Sequence, residues 1–442
     1  MSVRAVALSR RRGACPGLAA PMPTGDGLLA RLSPAGTIAL DAFRGLCAAA
    51  RQHGNGIIEV TARGSVQIRG LTAASAPRFA DAVAALAIAA ADGVPVLTNA
   101  LAGLDPDEIL DAGAVAADLR RKLARASFAA SLAPKVSVVI DGGGALGLDE
   151  AAADVRLRAE LMEGEIAFRV GVGGERASAI TLGAIAPSCA VEAALQLLEM
   201  VASRGRDARA RDVLAAAGIA PFRSALRGLL AASALPGEPG HREADIGFSA
   251  NRQKTDPTGQ HRLRDGSLAC GIAPAFGHAD AEMLARLAEA AYAAGASGMR
   301  AAPGRTLMII GLRDEAARRF AATAERLGFI VRADDPRRYV IACAGAPVCS
   351  SAHIAARAIA PFVAAAAGAH LDASFKVHIS GCGKGCAHAG SAKLTVVGLP
   401  HGCALVGDGG VCDAPFALVA TDQLPTAIGR YVREANCEPG HG

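Results

Sequence analysis

Four cysteines in two spaced pairs are the residues of this sequence best suited to chemistry. "CAGAPVC" supplies Cys343 and Cys349, and farther on "CGKGC" supplies Cys382 and Cys386. Thiolates hold soft metals, and the glycines at 345, 381, 383 and 385 let the backbone turn sharply and bring amides near sulfur. Structural zinc favours tighter pairs such as C-x2-C, so five and three intervening residues point to an iron–sulfur cluster. A zinc site and a chance gathering of core cysteines are the competing readings.

Seven of the eleven cysteines lie after residue 340, and an odd total does not describe a disulfide framework. The N-terminal "MSVRAVALSRRRGACPG" has a basic cluster but no continuous apolar run before a small-residue cleavage site, which predicts a cytoplasmic protein with reduced thiols. Cys47 and Cys189 sit in apolar runs and Cys403 and Cys412 in an expected hairpin, all as structural residues. Cys437 falls in the tail "ANCEPGHG", expected to lack regular structure. With no tryptophan and three tyrosines, little is available to stack on exposed bases, which argues against nucleic acid. The net charge of +5 suits a polyanionic small molecule as well as it suits solubility. The most apolar stretch, residues 78–97, carries Asp81 and Asp92 and is read as a buried amphipathic helix, not a membrane span.

The elements that must position the cysteines come from a duplication. Residues 41–71 read as a helix, a glycine-bearing turn and two strands, and residues 281–312 repeat that order. Gly311 lies 241 residues after Gly70, and Lys376 241 residues after Lys135. "NALAGLDPDE" at 99–108 is echoed by "ACAGAPVCSS" at 342–351. One offset held this far apart predicts a duplicated unit with pseudo-twofold symmetry. Each half pairs a smaller helix-and-strand unit with a larger α/β unit, an α+β protein with mixed sheets. Residues 236–267, rich in Gly, Pro and charge, read as the linker. Ala100, Ala102 and Asp141 stand near the cysteine positions in the first copy, so only the second is expected to carry metal.

C-x5-C followed by C-x3-C inside a duplicated chain resembles the siroheme-dependent sulfite and nitrite reductases. The resemblance implies two ferredoxin-like half-domains and two larger domains, divided at 1–75, 76–235, 236–315 and 316–442. It also implies a 4Fe–4S cluster on all four cysteines, with Cys386 facing the tetrapyrrole. "TARGSVQIRG" resembles those reductases' T-T-R-Q-x-x-Q-x-H-G strand and places Arg63, Gln67 and Arg69 toward the tetrapyrrole. "APKVS" resembles their P-R-K-F-K, with Lys135 kept and Ser137 in place of the second lysine; "GACPG" offers Ala14-Cys15 where they have an arginine. The anion cage that sulfite chemistry needs is therefore depleted. "RRRGACPGLAAPMPTGDGLLARL", "NALAGLDPDE" and "SGCGKGCAHAG" together resemble the precorrin-3B synthases, monooxygenases of the same superfamily. That implies precorrin-3A and O2 as substrates, with Arg63, Arg69 and Lys135 binding its carboxylates and Lys384 and His388 near its face.

O2 reacts slowly with closed-shell molecules, and the resemblance implies a mononuclear non-haem iron whose ligands the sequence does not identify. His278-Ala279-Asp280 has a facial-triad spacing, but Asp280 precedes a helical run and is read as its N-cap. "DGGGALG", with Gly142, Gly144 and Gly147, reads as a tight loop and not a dinucleotide fingerprint. Electrons from NADH would then arrive indirectly, through a separate reductase or ferredoxin. Two alternatives make different predictions: a sulfite or nitrite reductase would carry siroheme, and a zinc-stabilised binding protein would be colourless.

Overall fold

In the computed structural model, which describes residues 16–230, 256–388 and 390–435, the sequence repeat becomes two copies of a helix–strand–strand–helix unit. The first runs Leu40–His53, Ile57–Val60, Val66–Leu71 and Ser75–Ala85; the second runs Ala281–Ala293, Gly298–Ala302, Thr306–Leu312 and Asp314–Arg326. The leading helix buries one stripe, Phe43, Leu46, Cys47 and Ala50, and its counterpart buries Leu284, Leu287, Ala288 and Ala291. Every position is displaced by the same 241 residues. The copies share one core, where Ile58, Ile68 and Phe79 belong with Met299, Ile309 and Phe320. Reciprocal amide bonds join them, from Ile38 N to Met299 O at 2.7 Å and from Met299 N to Ile38 O at 2.9 Å.

The landmark glycines have a physical cause. Gly70 and Gly311 are the penultimate residues of their strands, at φ 72° and 85°. A Cβ on Gly70 would stand 2.4 Å from the Cβ of Asn55, and one on Gly311 2.6 Å from the Oγ of Ser297. Only glycine meets both the conformation and the close approach.

Each copy is followed by a five-stranded sheet of the same plan. One is ordered Val96–Leu97, Val138–Asp141, Ala153–Met162, Glu165–Gly174, Ile180–Ile185; the other Val340–Ala342, Val377–Ser380, Ala392–Leu399, Gly402–Gly409, Ala417–Val419. In both, the first three strands are parallel and the last two add antiparallel. Helices Ala112–Leu123 and Ala356–Ala367 make the crossovers. The C-terminal ends of the first two strands therefore share an edge, the place where open α/β sheets present ligand-binding loops.

By packing, the described chain divides into two units. One, residues 16–17, 90–230 and 262–266, holds the first five-stranded sheet around Leu119, Val138, Phe168 and Leu197. The other, residues 18–89, 256–261 and 267–435, holds both half-domains and the second sheet, whose core includes Val340, Val363, Ile379 and Val396.

Three expectations about elements are corrected. The apolar stretch 78–97 is helical only to Ala85: Ala87, just past the cap, takes a φ of 51° that leaves the helix, and the chain is no longer helical on its way to the strand Val96–Leu97. Boundaries at 75/76 and 315/316 would cut the helices Ser75–Ala85 and Asp314–Arg326, which bury Phe79 and Phe320 in the half-domain core. Within the expected linker, residues 236–255 lie outside the described residues, while Gly259–Arg262 is a strand of the second half-domain's sheet. Among the described residues no helix is long and apolar enough to cross a membrane.

Candidate metal centre

Cys343 directly follows the strand Val340–Ala342, and Cys382 follows its parallel neighbour Val377–Ser380 after one glycine. Cys349 and Cys386 come from the turns that continue those two loops. The loops are tied together: the Gly381 N–H donates to Cys343 Sγ at 3.0 Å, and the Gly381 carbonyl accepts from His353 N at 2.7 Å. Burial pushes the Cys343 thiol up, against the Gly381 and Gly345 amides, and Cys386 and Cys382 push it farther. Burial, then Cys382, also raises Cys386, which Arg69 opposes and Cys349 reinforces. Cys343 thus lies within electrostatic reach of Cys382 and Cys386, and Cys386 within reach of Cys349.

Among the described residues no three His, Cys, Asp or Glu side chains gather closely enough for a single metal ion. A four-iron cluster makes a different demand, since each sulfur binds a different iron. Four thiols from two glycine-rich loops, with an amide already on one sulfur, fit that donor set.

The charged residues expected around a tetrapyrrole are not equivalent. Arg69 is buried, and its fork meets Asp26 twice, Nε to Oδ2 at 2.7 Å and Nη2 to Oδ1 at 2.6 Å, with Nη1 on Glu59 at 3.3 Å. Gln67, in the amide orientation that satisfies both ends, gives its nitrogen to Glu59 Oε2 at 2.9 Å and takes Arg31 Nη2 on its oxygen at 2.6 Å. Both have protein partners in this structure. Burial alone would raise the Asp26 carboxyl, but the bonds and charge of Arg69 win and hold it below the ordinary range. Arg63 and Lys384 are exposed, with Lys384 Nζ on Ser351 Oγ at 2.9 Å. His388 Nε2 lies 3.1 Å from the Ser391 carbonyl. Lys135 is exposed in the other unit, and Ser137 is buried with its amide on Asp154 Oδ2.

Sequence reasoning missed Arg305, although the repeat flags it one residue from the counterpart of Arg63. Arg305 Nη2 donates to the Ala387 carbonyl, next to Cys386, at 2.7 Å. It also missed His378, at the repeat position of Ser137, whose ring stands edge-on to His388 at 5.6 Å. Both ring nitrogens of His378 and of His278 are buried without a hydrogen-bond partner. Asp280 does occupy the N-cap position, but its carboxylate accepts from Arg357 instead of capping.

In the first five-stranded sheet the corresponding loops carry carboxylates. Asp105 Oδ2 accepts from Ala145 N at 2.7 Å, Glu108 from Gly103 N at 2.7 Å and Ala112 N at 3.1 Å, and Asp141 from Gly143 N at 2.9 Å. "DGGGALG" is a loop, as expected, leading to the strand Ala153–Met162. Cys47, Cys270 and Cys403 are buried in their elements and Cys412 is exposed. Ala14, Cys15 and Cys437 lie outside the described residues.

Residues 20–86 match the family model described as the nitrite/sulfite reductase ferredoxin-like half domain. A Sinorhizobium protein named precorrin-3B synthase is 38% identical over 430 residues, covering 96% of this chain and 90% of its own. A Mycolicibacterium paratuberculosis protein named sulfite reductase (ferredoxin) 2 is 27% identical over 150 residues, 32% of this chain and 27% of its own. The solved structure of the Mycobacterium tuberculosis NirA protein superposes with a TM-score of 0.73 at 22% identity, covering 94% of this chain and 82% of its own. That likeness concerns the fold.

Proposed function

From the chain's membership of the precorrin-3B synthase family, we propose that it converts precorrin-3A to precorrin-3B, an O2-dependent hydroxylation with lactone formation in cobalamin biosynthesis. The observation that carries this is coverage: the likeness to a precorrin-3B synthase runs along nearly the whole of both chains, whereas that to a sulfite reductase is confined to about a third of this one. The chain is an oxidoreductase of the nitrite/sulfite reductase superfamily.

Cys343, Cys349, Cys382 and Cys386 would hold a 4Fe–4S cluster, a group that supplies single-electron transfer when bound. The partial burial of Cys343 and the Gly381 amide on its sulfur would tune that ligand. Arg63 and Lys384 supply cations for the acetate and propionate groups of the substrate, and His388 a ring donor. Arg69 and Gln67, held by Asp26, Glu59 and Arg31, act one step back from the substrate. For the mononuclear iron that the family reading implies, the described residues offer no gathered ligand set, and none is assigned. Electrons come from an external reductase or ferredoxin, with NADH as the ultimate source, in a cytoplasmic setting.

The test is the absorption and electron paramagnetic resonance spectrum of anaerobically purified protein, with iron and acid-labile sulfide quantified. A cluster signal without siroheme bands, and more than about four irons per chain, is expected, and Cys386→Ala should abolish the cluster signal. Strong siroheme bands would favour a reductase; zinc without sulfide would remove the redox reading altogether.

A further inference from the structure

The hairpin turn at Thr24–Gly27 stands at the far end of the chain from the cysteines, yet it is seated on them. The Gly25 carbonyl accepts from Ser350 N at 2.8 Å and from Ser350 Oγ at 2.7 Å. A Cβ on Gly25 would stand 2.3 Å from Cys349 Sγ and 3.0 Å from Ser351 Oγ. Backbone therefore rests directly against that sulfur, and no other residue type leaves the space.

The next residue fixes the turn. Asp26 takes the paired contact from Arg69, a bond from Asn55 Nδ2 at 3.2 Å and one from Thr24 Oγ1 at 2.8 Å. Its side chain is 1% exposed and that of Arg69 6%. A buried, doubly bonded pair of this kind is rigid, and removing one partner strands a charge.

We propose that Asp26 is a positioning residue for the thiol site: through Arg69 it locks the Thr24–Gly27 turn as a cover over Cys349. The cover concerns the thiols themselves. Its consequence for a loaded cluster, slower loss on exposure to air, rests on the reading of the four cysteines as cluster ligands.

Alkylation of the full-length, metal-free reduced protein by iodoacetamide, followed peptide by peptide in a mass spectrometer, separates the two questions. Asp26→Asn and Gly25→Ala are each expected to raise the alkylation rate of Cys349 about tenfold, a change of roughly 1.4 kcal/mol in protection, while exposed Cys412 keeps its rate. Gly25→Ala leaves the ion pair in place, so it decides the matter if Asp26→Asn does not fold. Asp26→Glu should restore slow alkylation. An unchanged Cys349 rate in the folded variants overturns the proposal, and so does an equal rise at Cys412. In the iron-loaded protein the same variants should bleach faster in air. A wild type that takes up no iron would refute the cluster reading and leave the alkylation result standing.

Discussion

A histidine buried without a partner weakens a folded protein as the solution becomes acidic, and His378 is 0% exposed. Burial, then the charges of His388 and Arg305, lowers its pKa from 6.5 to about 4. Below pH 6.5 the unfolded chain binds a proton that the folded chain refuses. This contribution is thus complete above that pH and lost as the pH falls toward 4, by on the order of 3 kcal/mol. His278, lowered to about 3 by burial and Arg357, acts in the same direction. Urea midpoints between pH 7 and 4.5 should fall less steeply in His378→Leu than in the wild type; parallel curves would assign the acid loss to other groups. The four cysteines were legible because their chemistry lies in local spacing. Gly25 and Asp26 were not, because nothing local distinguishes a turn glycine that touches sulfur from one that touches water. Arg69 was legible as a cation, but a sequence does not show that Asp26 and Glu59 already occupy its fork.

At the scale of elements, the 241-residue offset read from two landmarks extends to the buried stripes of the paired helices and to the glycine before each strand end. Gly70→Ala should destabilise the half-domain core by on the order of 2 kcal/mol, since it adds a Cβ at positive φ against Asn55. Gly36→Ala, with nothing within 4 Å of the new atom, is the matched control. A thermal midpoint that falls equally in both would mean that the strand end at residue 70 does not need glycine. Periodicity found the helices because a buried stripe leaves a 3.6-residue signature. It overran in residues 78–97, where alanines and aliphatics continue past the helix end and hydropathy alone does not mark the stop.

At the scale of the molecule, one plan was used twice and finished differently. The loops after Val340–Ala342 and Val377–Ser380 end in thiols, whereas those after Val96–Leu97 and Val138–Asp141 close on themselves through Asp105, Glu108 and Asp141. Iron loading should therefore raise amide-exchange protection at residues 343–352 and 380–388 and in the Thr24–Gly27 turn. It should leave 99–111 and 141–149 unchanged, because their amides already have carboxylate acceptors. Equal protection in both sets of loops would contradict this division of labour. The duplication was legible in the sequence; the carboxylate closure was not, since an acidic loop residue looks the same whether it binds an amide or solvent.

The sheet of the first half-domain ends on His278–Asp280, which pairs with Ile57–Val60, and its hairpin turn meets Ser350, 325 residues after Gly25. A ribosome adds about 5–20 residues per second. The first half-domain therefore waits tens of seconds for the strand and the loop that complete it. During that interval Asp26 has its arginine but not yet its sulfur, and the nascent chain presents an open sheet edge and half a core. Maturation of this protein is consequently ordered in time: the cover is made first, and the thiols are at their most accessible until they meet it.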